Sequence, residues 1–386
     1  MKLKFLMILC VSSVMLLTNL QAQNASSKLT LQSCLDIAMA NNIQVKQTAL
    51  QEESSKLNFN QSKYNRLPNI SAGLSYGINS GRSIDPFTNS YNNQQLSSSN
   101  ANLSASVPVF RGFQTNNAIQ QASFNYQASK MELQQEKDNL ALNVILSFLQ
   151  MMNDEDVFKL SKEQMAVTQK QVERLDVLNK EGAIKPADLY DMKGQYASDQ
   201  VALVNAARSL EMSKLNLAQF MNVPYSKDIQ IDREGFDLTI ALYESTADNI
   251  YSTALQELAM VKAADYRTKA ASKAIKVAAG GLYPTLSLFG QLGSNYSSAA
   301  RTLTPISSTD VATSDYVIVG GNNLPVMTNQ TKYNSQKISF TNQYNNNLST
   351  YMGINLSIPI FSSLQTRTNI KLAKIEERRT GYIAEN

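Results

Sequence analysis

The chain has 386 residues, of which 43% are hydrophobic and 17% are charged, and it contains no histidine. The absence of histidine excludes Ser-His-Asp and Cys-His nucleophile systems, imidazole general bases and His-ligated metal sites. The formal net charge is +4 and no long basic run is present, so the sequence offers no footprint for binding a nucleic-acid backbone. An enzyme could still use carboxylates, lysine or tyrosine, but we expect a protein that is not an enzyme and that has no catalytic residues, cofactor, metal or nucleic-acid partner.

The first 22 residues have the three parts of a secretory signal peptide. Lys2 and Lys4 form a basic start, an apolar run covers 5–17, and Ala22 is a small residue suited to cleavage. The apolar run is short for a membrane-spanning helix. We predict that 1–22 is a signal peptide, which leaves Cys34 as the single cysteine of the mature chain and excludes an internal disulfide.

The remaining sequence contains two copies of one pattern. Val45-Lys46 recurs as Val261-Lys262, a displacement of 216 residues. The motif Val-Pro-Val-Phe at 107–110 recurs as Ile-Pro-Ile-Phe at 358–361, a displacement of 251 residues. The difference of 35 residues predicts an insertion within 297–348 of the second copy. A repeat of this length is expected to form the same structural unit twice.

Each copy is predicted to begin with a helix that a proline ends. Thr30 is a plausible N-cap for the first helix, and Ser245 with Asp248 resembles a cap for the second. Pro68 and Pro284 follow the two helical patterns, and proline disfavours helical geometry in the residue before it. We expect one continuous helix before each proline.

Four segments after these helices alternate apolar and polar residues with a period of two, at 69–79, 96–110, 285–296 and 348–361. Their polar positions hold mainly Ser, Asn and Gly, and none of the four segments contains a charged residue. Strands of about 10 residues with one apolar face and no charge are typical of a transmembrane β-barrel, although a soluble pair of hairpins is the alternative. The predicted lipid-facing positions are Ile70, Leu74, Tyr76, Leu103, Val107, Leu286, Leu288, Ile354, Leu356 and Ile358.

The connections between paired strands are polar. Residues 81–100 and 297–347 are rich in Asn, Ser, Thr and Tyr, as the extracellular loops of such barrels are. Four strands cannot close a barrel, and lipid does not tolerate open sheet edges. We therefore expect several protomers to share one barrel, and three chains would supply twelve strands.

A long helical hairpin is predicted between the two copies. Residues 114–179 contain neither proline nor glycine, so they predict a helix of roughly 65 residues and about 100 Å. The segment 181–186 turns the chain, and a return helix follows to about Met221. Asp154-Glu155-Asp156 is predicted to lie on a solvated face of the first helix.

The signal peptide, the duplicated helix-proline-strand units, the Pro-x-Phe motifs and the long hairpin together resemble the TolC family of outer-membrane factors. The resemblance covers residues 30–386. It implies an α+β membrane protein of the outer membrane of a Gram-negative cell, in which a homotrimer builds a twelve-stranded β-barrel continued by a periplasmic α-helical coiled-coil barrel. It also implies a passive export channel of a tripartite efflux pump or type I secretion system, with a periplasmic adaptor, an inner-membrane transporter and outer-membrane lipid as partners.

The family contacts its adaptor at the tip of the hairpin. The residues that match this pattern are Gly182, Ala183, Ile184, Asp188 and Leu189, and Arg174 lies upstream at a helical spacing. Glycine allows close backbone approach, and Ala183 and Ile184 offer small apolar contacts. A helical turn with an incidental glycine is the alternative interpretation.

The sequence divides into a first repeat at 23–229, with its hairpin at 114–221, a linker at 230–244 and a second repeat at 245–386. The second repeat lacks a counterpart of the long hairpin, so we expect the sequence to be a fragment, and no gate residue of the family can be transferred to it. A periplasmic adaptor or structural coiled-coil protein is the alternative function, although it would not contain the paired strands. The sequence does not specify the exported substrate.

Overall fold

The structure is a computed structural model that describes residues 28–84, 89–92, 95–233 and 245–385. The predicted signal peptide and the greater part of the predicted linker, 234–244, lie outside the described residues. The chain forms two compact units, one from residues up to Ser55 with Tyr126–Tyr266 and one from Lys56–Asn125 with the residues from Arg267 onward. No helix in the described ranges is both long and apolar enough to cross a membrane.

The described elements follow one another as helix pairs, strands and long helices. In chain order they are α1 (Leu31–Asn41), α2 (Ile43–Tyr64), β1 (Asn69–Asn79), β2 (Ser83–Ile84), β3 (Tyr91–Asn92), β4 (Leu96–Arg111), α3 (Gln114–Lys180), α4 (Pro186–Met221), α5 (Ala247–Glu257), α6 (Ala259–Gly280), β5 (Thr285–Ser297), β6 (Arg301–Val319), β7 (Asn322–Lys337), α7 (Phe340–Asn346), β8 (Ser349–Ser357) and α8 (Gln365–Glu385).

The two displacements found in the sequence recur in the element boundaries. Helices α1 and α2 begin and end 216 residues before α5 and α6, respectively, and α3 begins 251 residues before α8. The turns after Pro-x-Phe also match, because the backbone is left-handed at Gly112 and Phe113 and again at Ser363 and Leu364. The same local structure is therefore built twice.

The prediction of one continuous helix before each proline is wrong, since each helix is interrupted once. Asn42 separates α1 from α2, and Leu258 separates α5 from α6. The side-chain Oδ1 of Asn42 accepts hydrogen bonds from the backbone N–H groups of Gln44 and Val45, so it caps the second helix. The caps of α1 and α5, in contrast, are the same in both copies.

Thr30 caps α1 as expected, and its hydroxyl accepts the backbone N–H of Ser33 at 3.2 Å. The second copy uses Thr246 in the same way, through the N–H of Asn249, so the assignment of that cap to Ser245 was one residue early. Thr246 lies 216 residues after Thr30, and the repeat could have identified it.

The first unit has a helical core to which α1, α3 and α4 contribute. The fully buried side chains include Cys34, Val144, Phe148 and Leu217. Farther along the hairpin, the buried hydroxyl of Thr168 donates to the carboxylate of Asp199 at 2.6 Å. The seam between α3 and α4 is thus apolar near α1 and contains a buried polar pair farther along the hairpin.

The acidic run at 154–156 does not form a simple solvated face. Asp154 is buried and accepts a hydrogen bond from the amide of Gln150. Glu155 and Asp156 form ion pairs with Arg233 at 3.0 and 2.7 Å. These contacts with Arg233, which is distant in sequence, could not be inferred from the helix alone.

The second unit contains an antiparallel sheet of four strands in the order β1-β4-β5-β8. The fourth strand ends at Ser357, so the predicted strand 348–361 was too long at its end. The segment 297–347 was predicted as a polar loop, and this was wrong because β6 and β7 form a long ribbon there. The missed signal was Gly320-Gly321, which has positive φ angles of 64° and 84° and joins two β-prone runs.

Candidate functional site

The four-stranded sheet has one apolar face. Side chains of directly opposed residues in an antiparallel pair lie on the same face, and the register pairs Leu103 with Leu292 and Leu288 with Ile354. By this register, nine of the ten predicted lipid-facing residues share one face. The tenth, Ile358, lies one residue beyond the end of β8. The structure therefore brings together the positions that the sequence singled out.

The opposite face of the sheet is polar, and its paired positions include one charged residue, Arg111, which opposes Thr285 at the end of β4. Ser71 and Ser104 are opposed there, and their hydroxyl oxygens lie 2.7 Å apart. Phe289 is an exception that the sequence did not indicate, and its ring lies 5.5 Å from that of Tyr351. The ring also lies over Gly353, where an added Cβ would come within 2.7 Å of Cζ of Phe289.

The two copies touch closely where the strands become helices. Gly112 has φ +56°, and a Cβ at this residue would collide with the carbonyl oxygen of Gly280 and lie 2.8 Å from Cβ of Tyr283. A Cβ at Gly280 would in turn lie 2.7 Å from the carbonyl oxygen of Gly112. Two glycines are therefore required for this contact between the first and second copies.

The tip of the α3–α4 hairpin is a Schellman turn. Gly182 is left-handed, with φ +69°; its N–H donates to the carbonyl of Asn179, and the N–H of Ala183 donates to that of Leu178. Pro186 occupies the first turn of α4. The turn alone gives a sufficient reason for glycine at 182.

The predicted adaptor-contact residues do not all lie on the surface. Gly182, Ala183 and Asp188 are exposed and Ile184 is half-buried, but Leu189 is only 4% exposed. Leu189 therefore packs inside the hairpin and supports the turn. Arg174 is exposed on α3. The exposed tip presents a small surface of backbone and short side chains.

The structure also bears on metal binding and catalysis. Within the described residues no group of acidic or cysteine side chains is arranged to hold a metal ion. Cys34 is buried, and this burial raises the pKa of its thiol to about 11. A thiol of this kind is a packing group rather than a nucleophile.

Comparison with solved structures identifies the fold. The chain superimposes on CusC, described as forming a transmembrane channel, with a TM-score of 0.71 and 15% identity over 95% of this chain and 75% of CusC. It superimposes on the outer membrane protein VceC of Vibrio cholerae with a TM-score of 0.70 and 13% identity over 92% of this chain and 74% of VceC. The outer membrane channel CmeC of Campylobacter jejuni gives 0.71 and 15% over 92% and 67%.

The comparison with protein families agrees with the fold, whereas the comparison with curated proteins found no match. Residues 34–223, which run from within α1 to just past the end of α4, match the family described as outer membrane efflux protein. The resemblance found in the sequence is thereby confirmed: residues 34–223 belong to the outer membrane efflux protein family, whose members act in transport, and the chain has the fold of outer-membrane channels.

Proposed function

We propose that three copies of this chain form one β-barrel and a periplasmic helical tunnel, through which a tripartite efflux pump or type I secretion system exports its substrates passively. The observation that carries the proposal is a difference between equivalent motifs. Pro108 and Phe110 are half-buried against β5, whereas their counterparts in the second copy, Pro359 and Phe361, are exposed, Phe361 to 79%. A second copy of the chain would cover them as β5 covers the first motif.

The open edges of the sheet support the same proposal. β1 and β8 are the outer strands of the four, and each leaves one row of backbone N–H and C=O groups unpaired within the sheet. In the bilayer an unpaired backbone group costs several kcal/mol, so edges facing lipid must be closed by another strand. A β8 edge that pairs with β1 of the next copy would close the barrel.

The internal repeat predicts the register of that pairing. Moving β4 forward by 251 residues gives β8, and moving β5 back by 216 gives β1. The pair Ala105–Gly290 therefore predicts that Leu356 of one copy opposes Leu74 of the next. The contact between copies would repeat the contact within one chain.

Disulfide trapping tests this register. In a Cys34→Ala background, Leu74→Cys with Leu356→Cys should give covalently linked dimers and trimers in outer-membrane extracts, and no larger species. The control pair, Ser75→Cys with Leu356→Cys, is shifted by one residue and places the two thiols on opposite faces. Equal cross-linking of both pairs, or a ladder that continues past three, would overturn the proposed trimer.

We also propose that Gly182, Ala183 and Ile184 contact the periplasmic adaptor, with Asp188 beside them and Leu189 supporting the turn. Because the turn itself needs a left-handed residue, a bulky substitution alone would not separate folding from binding. Asn tolerates this conformation, so Gly182→Asn keeps the turn and adds a side chain at the tip, whereas Gly182→Val strains the turn.

The expected result is that both variants lose export of an efflux substrate, while Gly182→Asn keeps the outer-membrane level of the unaltered chain. Lys162→Ala, at an exposed position of α3 that lies 20 residues before the glycine, serves as the control and should export normally. Full export by Gly182→Asn would show that the glycine serves only the turn, and the adaptor contact would then be rejected.

A further inference from the structure

A short helix covers the outer end of the apolar sheet face. The phenolic oxygen of Tyr344 in α7 lies 2.6 Å from the hydroxyl of Ser99, and the hydroxyl of Ser294 donates to the carbonyl of Tyr344 at 2.6 Å. The strand register places Ser99 and Ser294 on the same face as Leu103 and Leu292. The helix therefore covers two polar residues that would otherwise be exposed on the apolar face.

Three aromatic rings lie at this position. The ring of Phe340 is 5.0 Å from that of Tyr296 and 4.4 Å from that of Tyr344, and Phe340 remains 50% exposed. Aromatic side chains with one apolar and one polar end are enriched where a membrane meets water. On the outward face of a barrel, this cluster would mark the outer boundary of the bilayer.

Gln343 fixes the helix to the strand and to the base of the ribbon. Its side chain is 2% exposed; it accepts the N–H of Ser297 at 2.9 Å and donates to the carbonyls of Ser297 and Ile338, each at 3.0 Å. The N–H of Ile338 donates to the carbonyl of Ala300. The position of α7 relative to the ribbon base is thus held by buried hydrogen bonds.

Two cations occupy the base of the ribbon beside this helix. Arg301 of β6 and Lys337 of β7 are directly opposed in the register, and both are exposed. No carboxylate among the described residues forms an ion pair with either of them. Like charges in opposed positions destabilise a strand pair, and an anion bound between them would remove that cost.

We propose that Arg301, Lys337 and the aromatic cluster of α7 bind a phosphorylated lipid of the outer leaflet, with the cations on its phosphate and the rings against its acyl chains. Guanidinium and ammonium groups bind phosphate strongly. The inference rests on the proposed placement of the apolar face in the membrane. It specifies which class of lipid binds the apolar face and where on that face it binds.

The chain contains no tryptophan, so Phe340→Trp supplies a single fluorescent reporter inside the site. This variant of the full chain is reconstituted into vesicles in which either phosphatidic acid or phosphatidylcholine carries bromine on its acyl chains. Brominated phosphatidic acid should quench the tryptophan at about a tenfold lower mole fraction than brominated phosphatidylcholine, because each cation near the surface adds attraction to an anionic lipid.

Arg301→Gln with Lys337→Gln should abolish the preference for phosphatidic acid while quenching by phosphatidylcholine remains. The matched control is Lys371→Gln with Lys374→Gln, which removes the same charge from exposed positions of α8 and should keep the preference. Equal quenching by both lipids in the parent variant would reject the lipid site but leave the membrane placement intact. No quenching by either lipid would reject both the site and the proposed placement of the sheet face.

Discussion

The two copies of the repeat have the same local structure but different surroundings. Cys34 and Ala38 of α1 are fully buried against the hairpin, whereas the equivalent helix α5 has no buried residue and Ile250, the counterpart of Cys34, is 46% exposed. The Pro-x-Phe motif of the second copy is likewise more exposed than that of the first. Local sequence therefore determines where each helix and strand begins, and the neighbouring element determines which side chains become core.

The copies have also diverged at equivalent positions. Gly73 opposes Asn102 in the first copy, whereas Phe289 opposes Gly353 at the equivalent positions of the second. In each pair one residue is glycine and the other is larger, but the glycine is on the first strand in the first copy and on the second strand in the second copy. At the strand-to-helix turn, Gly112 of the first copy corresponds to Ser363 of the second. These pairs allow one copy to serve as the control for the other.

The largest effect is expected at Gly112. Gly112→Ala adds a Cβ in a left-handed conformation and drives it into the backbone of Gly280, so the two penalties together should cost about 3 kcal/mol. Ser363→Ala changes the same position of the second copy, which already carries a Cβ at φ +49°. Urea unfolding of the detergent-solubilised protein should show a large loss for the first variant and little change for the second. Equal losses would mean that the close contact with Gly280 is unimportant.

A smaller effect is expected from the exchanged pair on the polar face. Gly353→Ala should cost about 1–2 kcal/mol because its Cβ meets the ring of Phe289. In a Phe289→Ala background the same substitution should cost nothing. Gly73→Ala meets only the flexible amide of Asn102 and should cost less than Gly353→Ala. Additive losses in the double variant would contradict direct contact between residues 289 and 353.

The sequence predicted the parts of the fold that depend on period and on repetition. Alternation identified the apolar sheet face, because side chains of a strand point to opposite sides at every second residue. It could not identify the packing of Phe289 over Gly353 or the burial of Leu189, since both depend on which residue lies opposite in another element. The ribbon was missed because its strands are as polar as a loop. The adaptor contact remains a prediction, as the turn explains Gly182 without a partner.

A more modest effect is expected at the helix interruptions. Asn42→Ala removes the acceptor for two backbone N–H groups at the start of α2 and should destabilise the protein by about 1 kcal/mol. Leu258 occupies the equivalent position in the second copy, is 47% exposed and has no side-chain oxygen. The backbone at Leu258 (φ -63°, ψ 128°) matches that at Asn42 (φ -58°, ψ 126°), so Leu258→Asn should stabilise by about a few tenths of a kcal/mol. Thermal unfolding of the two single variants measures both changes, and the same sign for both would contradict the capping role.

The smallest effect near neutral pH concerns Cys34 and Ile250. Burial raises the pKa of the Cys34 thiol to about 11, so the folded state keeps a proton that the unfolded state releases above its lower pKa. The stability contributed by this thiol is complete below about pH 8 and is lost as pH rises towards 11. Cys34→Ala should therefore flatten the fall in stability between pH 8 and 10.5 and leave the slope below pH 8 unchanged.

In that background, Ile250→Cys should react rapidly with an alkylating reagent at pH 8, whereas Cys34 of the unaltered chain should react only on unfolding. Rapid alkylation of Cys34 in the folded protein would show that the first copy is no better covered than the second.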